Sequence, residues 1–229
     1  MDRQNIKIRR LSRPTVGGAE EWQDLRQLCC LTGNRGSAIA PERWDFFGRL
    51  WIEPYRKICP EWTYVAQNES KIVGYLTGCP DTVTFVRAKL WSFSLPLLWD
   101  ICRGRYAFNR DVLRFLRQAF GFEAGPERAC ASETGFDLAR EYPAHLHINV
   151  ESDWRNAEVG RLLMQRFLAD LRSAGIPAVH LYCGEEPLNF YLRCGFTKLA
   201  QVIFHGVPVY ALGLRLQSGT SLDASGPLH

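Results

Sequence analysis

The strongest constraint on the fold is a strand, a polar loop and an amphipathic helix that follow one another between residues 144 and 175. The segment AHLHINV (144–150) alternates apolar and polar residues, which is typical of a strand. After the loop, VGRLLMQRFLADLRSAG places one apolar stripe along a helix, formed by Val159, Leu163, Phe167 and Leu171. Gly175 ends the pattern, as glycine often does just past a helix. We therefore predict a strand-loop-helix unit.

Further strands and helices on both sides of this unit predict an α/β domain with a mixed sheet. Strands are predicted at 5–12, 62–67, 71–78, 177–183, 197–204 and 207–216. One helix is predicted to bury Trp22, Leu25, Leu28 and Cys29. A second helix, opened by Pro41, is predicted to bury Trp44, Phe47, Leu50 and Trp51. A short helix is predicted from Glu185 to Gly195.

Residues 81–140 break this rhythm, because aromatic side chains are interleaved there with arginines. We predict helices for most of the segment and a looser, turn-rich exit at 121–135. Such a segment suits a lid or a wall of a binding site. Aromatic and arginine residues are also enriched in protein interfaces, so a helical surface for a homodimer is the alternative.

Composition excludes several classes of function. The net charge of +4 is small for a nucleic-acid-binding protein of 229 residues. The eight cysteines form no C-x-x-C pair and no zinc-ligand spacing. We therefore predict free thiols, no metal site and a cytoplasmic protein. The longest apolar stretch, 90–101, is too short and too polar to span a bilayer, so neither a membrane nor a nucleic acid is expected as a partner.

The loop between the strand and the helix of the first unit has the properties of an anion-binding site. The first N–H groups of a helix have no intrahelical partner, and the helix dipole adds positive potential there. Arg155 and Arg161 bring positive side chains to the same place. The alternative is a polar loop that opens an amphipathic helix and binds nothing.

Two motifs of this chain resemble those of the GNAT N-acetyltransferase superfamily. The family signature at the head of the central helix is Gln/Arg-x-x-Gly-x-Gly/Ala, and Arg155-Asn-Ala-Glu158-Val-Gly160 matches its first and last positions. Downstream, Phe190-Tyr191-Leu-Arg-Cys-Gly195-Phe196 matches the frequent Phe-Tyr-x-x-x-Gly-Phe in full. The strands HLHI and VHL resemble those of acetyltransferase-like domains related to the C-terminal part of O-GlcNAc hydrolases.

The resemblance implies a GNAT-like mixed, mostly antiparallel sheet flanked by helices. One domain would cover residues 1–216, with 81–140 as a helical insertion. The Ser/Gly-rich tail at 217–229 is predicted to be disordered.

The resemblance also implies acetyl-CoA as co-substrate and assigns its contacts. The backbone of Ile148, Asn149 and Val150 would pair with the pantetheine arm like an added strand. The pyrophosphate would lie against Arg155, Asn156, Ala157, Glu158, Val159, Gly160 and Arg161. Tyr191 matches the frequent general acid of the family, and a phenol with an ordinary pKa of about 10 stays protonated at neutral pH. The alternative is that Tyr191 is a core aromatic residue on an amphipathic helix.

The sequence departs from the family pattern at three places. Glu158 replaces the first glycine of the loop, which adds a Cβ and a negative charge near the pyrophosphate. Glycine at this position is expected to tighten CoA binding and to lower the stability of the ligand-free protein. Asn149 stands where related sequences often carry Asp. The loop 183–187 is short where the family has an Asn.

The general base is therefore open. His145, His147 and Asn149 share one face of their strand because side chains alternate, so a histidine, His147 in particular, could deprotonate an amine. The alternative is that these histidines, and His180 on the next strand, are structural residues with satisfied hydrogen bonds. Asp137 and Glu141 are further candidates that would act through water.

We predict an enzyme that transfers an acetyl group from acetyl-CoA to an unidentified primary amine by direct attack in a ternary complex. The alternative is a catalytically inactive acyl-CoA-binding or protein-interaction module on the same fold. Glu158, Asn149 and the short loop 183–187 favour that alternative.

Overall fold

The computed structural model describes residues 5–11, 18–34, 36–120, 125–135, 137–155 and 158–216. Their strands are β1 (Ile6–Arg10), β2 (Thr63–Asn68), β3 (Lys71–Cys79), β4 (Ala144–Val150), β5 (Ala178–Cys183), β6 (Thr197–Phe204) and β7 (Val207–Arg215). They form one sheet in the order β1-β2-β3-β4-β5-β7-β6, in which β4 and β5 are parallel and the other neighbours antiparallel. The predicted mixed, mostly antiparallel sheet is confirmed. The predicted tail at 217–229 lies outside the described residues.

The helices of the described residues are α1 (Gly18–Thr32), α2 (Trp44–Ile58), α3 (Thr82–Lys89), α4 (Leu95–Cys102), α5 (Arg110–Ala119), α6 (Pro126–Thr134), α7 (Leu138–Glu141), α8 (Val159–Ser173) and α9 (Leu188–Arg193). The prediction of helices in 81–140 is confirmed. The turn-rich exit at 121–135 is wrong over α6. There Pro126 suits a first helical position, and Gly135 ends the helix with a φ of 73°.

The two faces of the sheet carry different helices. The predicted stripe of α8 is confirmed, since all four of its side chains are buried, and it packs against Leu146 and Val179 of the central strands. The predicted stripe of α1 is also confirmed, and it packs against Val65 and Tyr75 on the opposite face. The core therefore has two layers, one on each side of the sheet.

The predicted buried face of α2 is wrong at Trp51, whose side chain is 44% exposed. Trp44, Phe47 and Leu50 are half-buried, and the buried residues of the helix include Phe46, Ile52 and Tyr55. This helix has buried apolar residues on more than one side. Ile52 packs into the α1 layer, and Phe46 packs against the inserted helices. A helix with two packing partners has no single apolar stripe, so its periodicity does not reveal the buried face.

The inserted helices pack on the rest of the protein at two places. Phe46 of α2 lies in a cluster with Phe93, Leu97, Val112 and Phe115. Cys130 of α6 is fully buried against Ala200 and Ala211 of the sheet. The segment is thus part of the packed structure. Among the described residues, no helix has both the length and the apolar content needed to cross a membrane.

Candidate active site

The central feature of the candidate site is an opening between β4 and β5. These strands pair only at Ala144 with Val179 and at His145 with His180. Beyond this point, β4 continues along β3 but no longer pairs with β5. Five residues of β4, from Leu146 to Val150, therefore present one edge that pairs with no strand in the part of the chain that the structure describes.

Backbone alternation decides which peptide groups lie at this open edge. The N–H of Glu151 donates to the carbonyl of Val73 on the β3 side. In an antiparallel pair, alternate residues point their peptide groups to the same neighbour, so Asn149 also faces β3. The N–H and C=O groups of Ile148 and Val150 face the opening. Of the three residues predicted for the pantetheine, Ile148 and Val150 thus point their backbone groups into the opening, where the carbonyl of Val150 accepts from Nε of Arg155, and Asn149 does not.

The start of α8 provides backbone donors. The first helical hydrogen bond runs from the N–H of Leu162 to the carbonyl of Glu158, so the N–H groups of Val159, Gly160 and Arg161 lie ahead of the helical ladder. Glu158 itself has a φ of 60°, the left-handed conformation that favours glycine. The left-handed backbone at this position explains why the motif has glycine there. In this chain a glutamate adopts the same conformation with backbone strain.

Gly160 brings three elements into contact. A Cβ built on Gly160 would lie 3.1 Å from Cζ of Phe190 in α9 and 3.9 Å from Cδ1 of Ile148 in β4. The contact with Phe190 is tighter than ordinary van der Waals distance, so a side chain here would displace the ring. The absence of a side chain at Gly160 lets α8, α9 and the open strand meet at one point.

Both predicted phosphate-binding arginines have partners within the protein. Arg155 donates from Nη2 to the carbonyl of Gly36 at 2.7 Å and from Nε to the carbonyl of Val150 at 3.3 Å. Arg161 donates to the carboxylate of Glu158 at 2.7 Å. All three charged side chains are exposed, so these contacts can exchange for a ligand. Asn156 and Ala157 lie outside the described residues.

Tyr191 lies in the α8 layer. It is 7% exposed and makes edge-to-face contacts with Phe190 and Phe196. Burial, with smaller contributions from the neighbouring thiols of Cys183 and Cys194, raises the pKa of Tyr191 well above its usual range. The phenol is therefore protonated at neutral pH, and the same burial makes it a weaker proton donor than an exposed tyrosine.

His145 has the properties of a structural residue. Its Nδ1 lies 2.8 Å from the hydroxyl of Thr82, and its Nε2 lies 3.1 Å from the hydroxyl of Tyr55. Burial, followed by the nearby His180 and Lys89, lowers the pKa of His145 to about 3. Both ring nitrogens are engaged, which supports the structural interpretation. His180 likewise donates from Nδ1 to the carbonyl of Tyr142 at 2.6 Å.

His147 and Asn149 lie on the face of β4 that packs against α2, as the alternation predicts. The ring of His147 stacks on Trp51 with centroids 5.4 Å apart, and its Nε2 lies 3.3 Å from the amide nitrogen of Asn149. That amide nitrogen also donates to the hydroxyl of Tyr75 at 2.8 Å. Burial lowers the pKa of His147 to about 4, so the imidazole is neutral at physiological pH but only weakly basic.

The sequence analysis missed three aromatic residues around the opening. Trp51 covers His147, and Tyr75 holds Asn149. Tyr182 lies two residues beyond His180, as His147 lies two beyond His145, so the two side chains share one face across the opening. Burial raises the pKa of Tyr182. Strand register places Tyr75 and Tyr182 beside the opening, and the packing of α2 on the sheet places Trp51 there.

Comparison with known proteins supports the fold. No protein-family model matches this chain. SsHAT is similar with 28% identity and a TM-score of 0.71, over 93% of this chain and 99% of that one. A GNAT-family acetyltransferase from Desulfovibrio desulfuricans is similar with 15% identity and a TM-score of 0.55, over 93% and 100%. The protein yncA from Salmonella typhimurium, solved with its cofactor acetyl-CoA, is similar with 14% identity and a TM-score of 0.52, over 96% and 99%.

Proposed function

Since the chain has the fold of the GNAT acetyltransferases, we propose that it transfers an acetyl group from acetyl-CoA to a primary amine by direct attack in a ternary complex. The observation that carries this proposal is the separation of β4 from β5 next to the start of α8. It supplies an open strand edge and unpaired helix N–H groups at one place. The narrower likeness to domains related to O-GlcNAc hydrolases stays a prediction.

The open edge and the helix start have complementary tasks in binding. Acetyl-CoA supplies the acetyl group and a thiol as leaving group. The peptide groups of Ile148 and Val150 suit an extended amide-containing arm, because they can pair with it as a neighbouring strand would. The N–H groups of Val159, Gly160 and Arg161 suit a pyrophosphate. In this proposal, the guanidinium groups of Arg155 and Arg161 exchange their protein partners for phosphate oxygens.

Proton transfer is assigned to the two faces of β4. Tyr191, protonated and on the α8 side, is proposed as the acid that protonates the leaving thiolate. His147, neutral and on the α2 side, is proposed as the acceptor of a proton from the amine. Holding acetyl-CoA and the amine in one opening would accelerate the transfer, because the two reactants are then close together and correctly oriented.

The second candidate function is an inactive acyl-CoA-binding module on the same fold. The observation that favours it is the low pKa of His147, since a group with a pKa of about 4 is a weak base for an ammonium ion. Glu158 adds a negative charge beside the proposed pyrophosphate site. The two functions differ in turnover and agree in acetyl-CoA binding.

Calorimetry and turnover together test the proposal. Acetyl-CoA should bind saturably without magnesium and raise the melting temperature, because a ligand that binds only the folded state stabilises it. Acetyl-pantetheine, which lacks the pyrophosphate, should bind more weakly. Release of free CoA with a panel of amines should exceed release without amine. Binding without turnover on any amine would favour the inactive module, and no binding at millimolar acetyl-CoA would refute both functions.

A further inference from the structure

The inserted helices α3 and α4 belong to one continuous helix with an exposed apolar stripe. A π-helical segment, Leu90–Ser94, joins them, and the backbone keeps a helical conformation across both junctions, so residues 82–102 form a single insertion helix. Fourteen large apolar side chains are exposed in the part of the chain that the structure describes. Six of them lie on the insertion helix: Val83, Val86, Leu90, Trp91, Leu95 and Trp99.

The π-helical turn keeps these side chains on one side of the helix. Residues three or four apart share a face of an α-helix, and Val83, Val86 and Leu90 follow this spacing. The next step is five residues long, and across it the N–H of Leu95 donates to the carbonyl of Leu90. A π turn aligns residues five apart, and Trp99 follows four residues later. The stripe is therefore continuous from Val83 to Trp99, over about 24 Å.

The opposite side of the insertion helix fixes it to the protein. Phe85 is buried, and its ring centroid lies 5.0 Å from that of His145 on β4. Phe93 and Leu97 are buried in the cluster around Phe46 of α2. The helix thus has one apolar face in the core and a second apolar face that is exposed. A helix that is apolar on both sides is normally covered on both sides.

Exposed arginines accompany the stripe. Residues 81–105 contain four basic and two acidic residues. Arg87 and Arg103 are exposed, and the guanidinium group of Arg103 lies 5.6 Å from the ring centroid of Trp99. The surroundings of the stripe are therefore cationic.

The two acids of this region have partners within the protein. Asp81 accepts from the N–H of Thr84 at the start of the helix, and Asp100 pairs with Arg49 at 3.0 Å and with Arg105 at 3.6 Å. A dimer with two-fold symmetry would bring two copies of the same cationic face together. Because like charges repel at such a contact, the stripe favours an anionic partner over a second copy of this chain.

The chemistry and shape of the stripe suit a lipid surface. Tryptophan, leucine and valine on one side of a helix, with arginines beside them, are typical of helices that lie between the headgroups and the acyl chains of a bilayer. Indole rings are enriched at that depth. Arginine side chains can reach lipid phosphates while their methylene groups stay in apolar surroundings. Since the stripe follows one helix, its whole length can enter a flat surface at the same depth.

We propose that the exposed stripe of the insertion helix docks on a bilayer surface that contains anionic lipids. The proposal is independent of the transferase function, because it requires no ligand in the opening between β4 and β5. The sequence analysis excluded a membrane partner on the ground that no segment could span a bilayer. The insertion helix would lie on the surface of the bilayer and would not cross it.

Vesicles of phosphatidylcholine, with and without phosphatidylserine, test the proposal with the full chain. Cosedimentation should be about tenfold or more stronger with phosphatidylserine, and added salt should reduce this difference, because it screens the attraction of arginines to the surface. Brominated acyl chains should quench part of the tryptophan fluorescence, since quenching requires that indole rings enter the bilayer.

Substitutions locate the binding on the stripe. Trp91→Ser and Trp99→Ser should each weaken vesicle binding about tenfold, because each removes a large apolar side chain that the bilayer would cover. Ile203→Ser is the control, since Ile203 is 68% exposed on β6. Arg87→Gln should weaken binding only to the anionic vesicles. Arg172→Gln, at the exposed end of α8, removes the same charge elsewhere and should keep wild-type binding. Melting temperatures check that each variant is folded.

Four outcomes would overturn the proposal. The first is no vesicle binding, or equal binding with and without phosphatidylserine. The second is binding that Ile203→Ser weakens as much as Trp99→Ser does. The third is binding without quenching by brominated chains, which would show contact through charge alone. The fourth is a dimer in lipid-free sedimentation that Trp99→Ser dissociates, which would assign the stripe to a second copy of the chain.

Discussion

The two faces of β4 build their polar sites in different ways. On the α8 face, Ile148 meets the start of α8, where the polar groups are backbone N–H groups that lie ahead of the helical ladder. On the α2 face, the polar groups are the side chains of His147 and Asn149, which contact Trp51 and Tyr75. The first site is made largely from residues close in sequence. The second is made from side chains of α2, β3 and β4.

This difference predicts how each site responds to amino-acid substitutions. Backbone donors depend on chain direction and close approach, so positions 158 and 160 matter through their conformation and size. Side-chain groups depend on the chemistry of each residue, so His147 can be replaced without rebuilding the backbone. Four predictions test this contrast, beginning with the largest expected effect.

The largest effect is expected for Tyr191→Phe, on the α8 face. Removing a positioned acid should lower kcat by about 10²–10⁴-fold while the Kd for acetyl-CoA stays the same. Tyr182→Phe is the matched control on the α2 face, because it is the same chemical change at another phenol whose pKa is raised by burial. Steady-state kinetics and calorimetry measure both. A larger loss for Tyr182→Phe would reassign the acid to the other face.

Gly160→Val should weaken acetyl-CoA binding about tenfold or more. The new side chain collides with Phe190, whose ring lies 3.1 Å from the Cβ position, and overpacking of this kind costs about 1–3 kcal/mol. The same collision moves α9 away from the helix start. Phe190→Leu added to Gly160→Val should recover part of the affinity by making space. Without any recovery, the role assigned to close packing at Gly160 is incorrect.

Glu158→Gly should lower the Kd for acetyl-CoA about fivefold. The change removes a charge whose repulsion of a phosphate is worth about 1 kcal/mol in water at 4 Å. It should also stabilise the ligand-free protein by up to about 1 kcal/mol, because the left-handed conformation costs roughly 1–2 kcal/mol for residues with a Cβ. This corrects the sequence-based expectation of a less stable protein, which treated position 158 as helical.

Glu158→Ala separates the two effects of that substitution. Alanine removes the charge but keeps a Cβ at a φ of 60°. It should therefore lower the Kd without raising the melting temperature. Equal melting temperatures for Glu158→Gly and Glu158→Ala would show that the backbone at this position is not strained in solution.

The last prediction concerns the pH dependence of stability on the α2 face. The pKa of His147 is lowered from 6.5 to about 4, so the folded protein binds fewer protons than the unfolded chain between these values. Stability is therefore present above pH 6.5 and is lost as the pH falls toward 4. Urea unfolding at several pH values should show this slope, and His147→Gln should reduce it.

The control for this slope is His205→Gln, at an exposed position on the turn between β6 and β7. It removes a histidine outside the sheet and should leave the slope closer to wild type. A slope that His147→Gln does not change would place the acid sensitivity elsewhere, with His145 as the next residue to test.

Local patterns predicted most of the fold, including the strand-loop-helix unit that carries part of the candidate site. The stripes of α1 and α8 were correct because each helix packs against one layer, so its apolar period reports its buried face. The strand-loop-helix unit was correct because it is formed by residues adjacent in sequence. The motif indicated that position 158 favours glycine. Only the φ of 60° shows that Glu158 is in the left-handed conformation, so that glycine there is expected to raise the stability of the protein.

The sequence alone determined the sheet class, the helix that carries the backbone donors and the position of Tyr191, since these follow from patterns shorter than about twenty residues. Only the tertiary structure decided which face of α2 is buried, which peptides of β4 face the opening and which side chains surround His147. Those features depend on strand register and on contacts between residues as distant as Trp51 and His147. Sequence periodicity carries no information about such pairs, because it shows only which face of a single helix or strand is apolar and not which residues lie against that face.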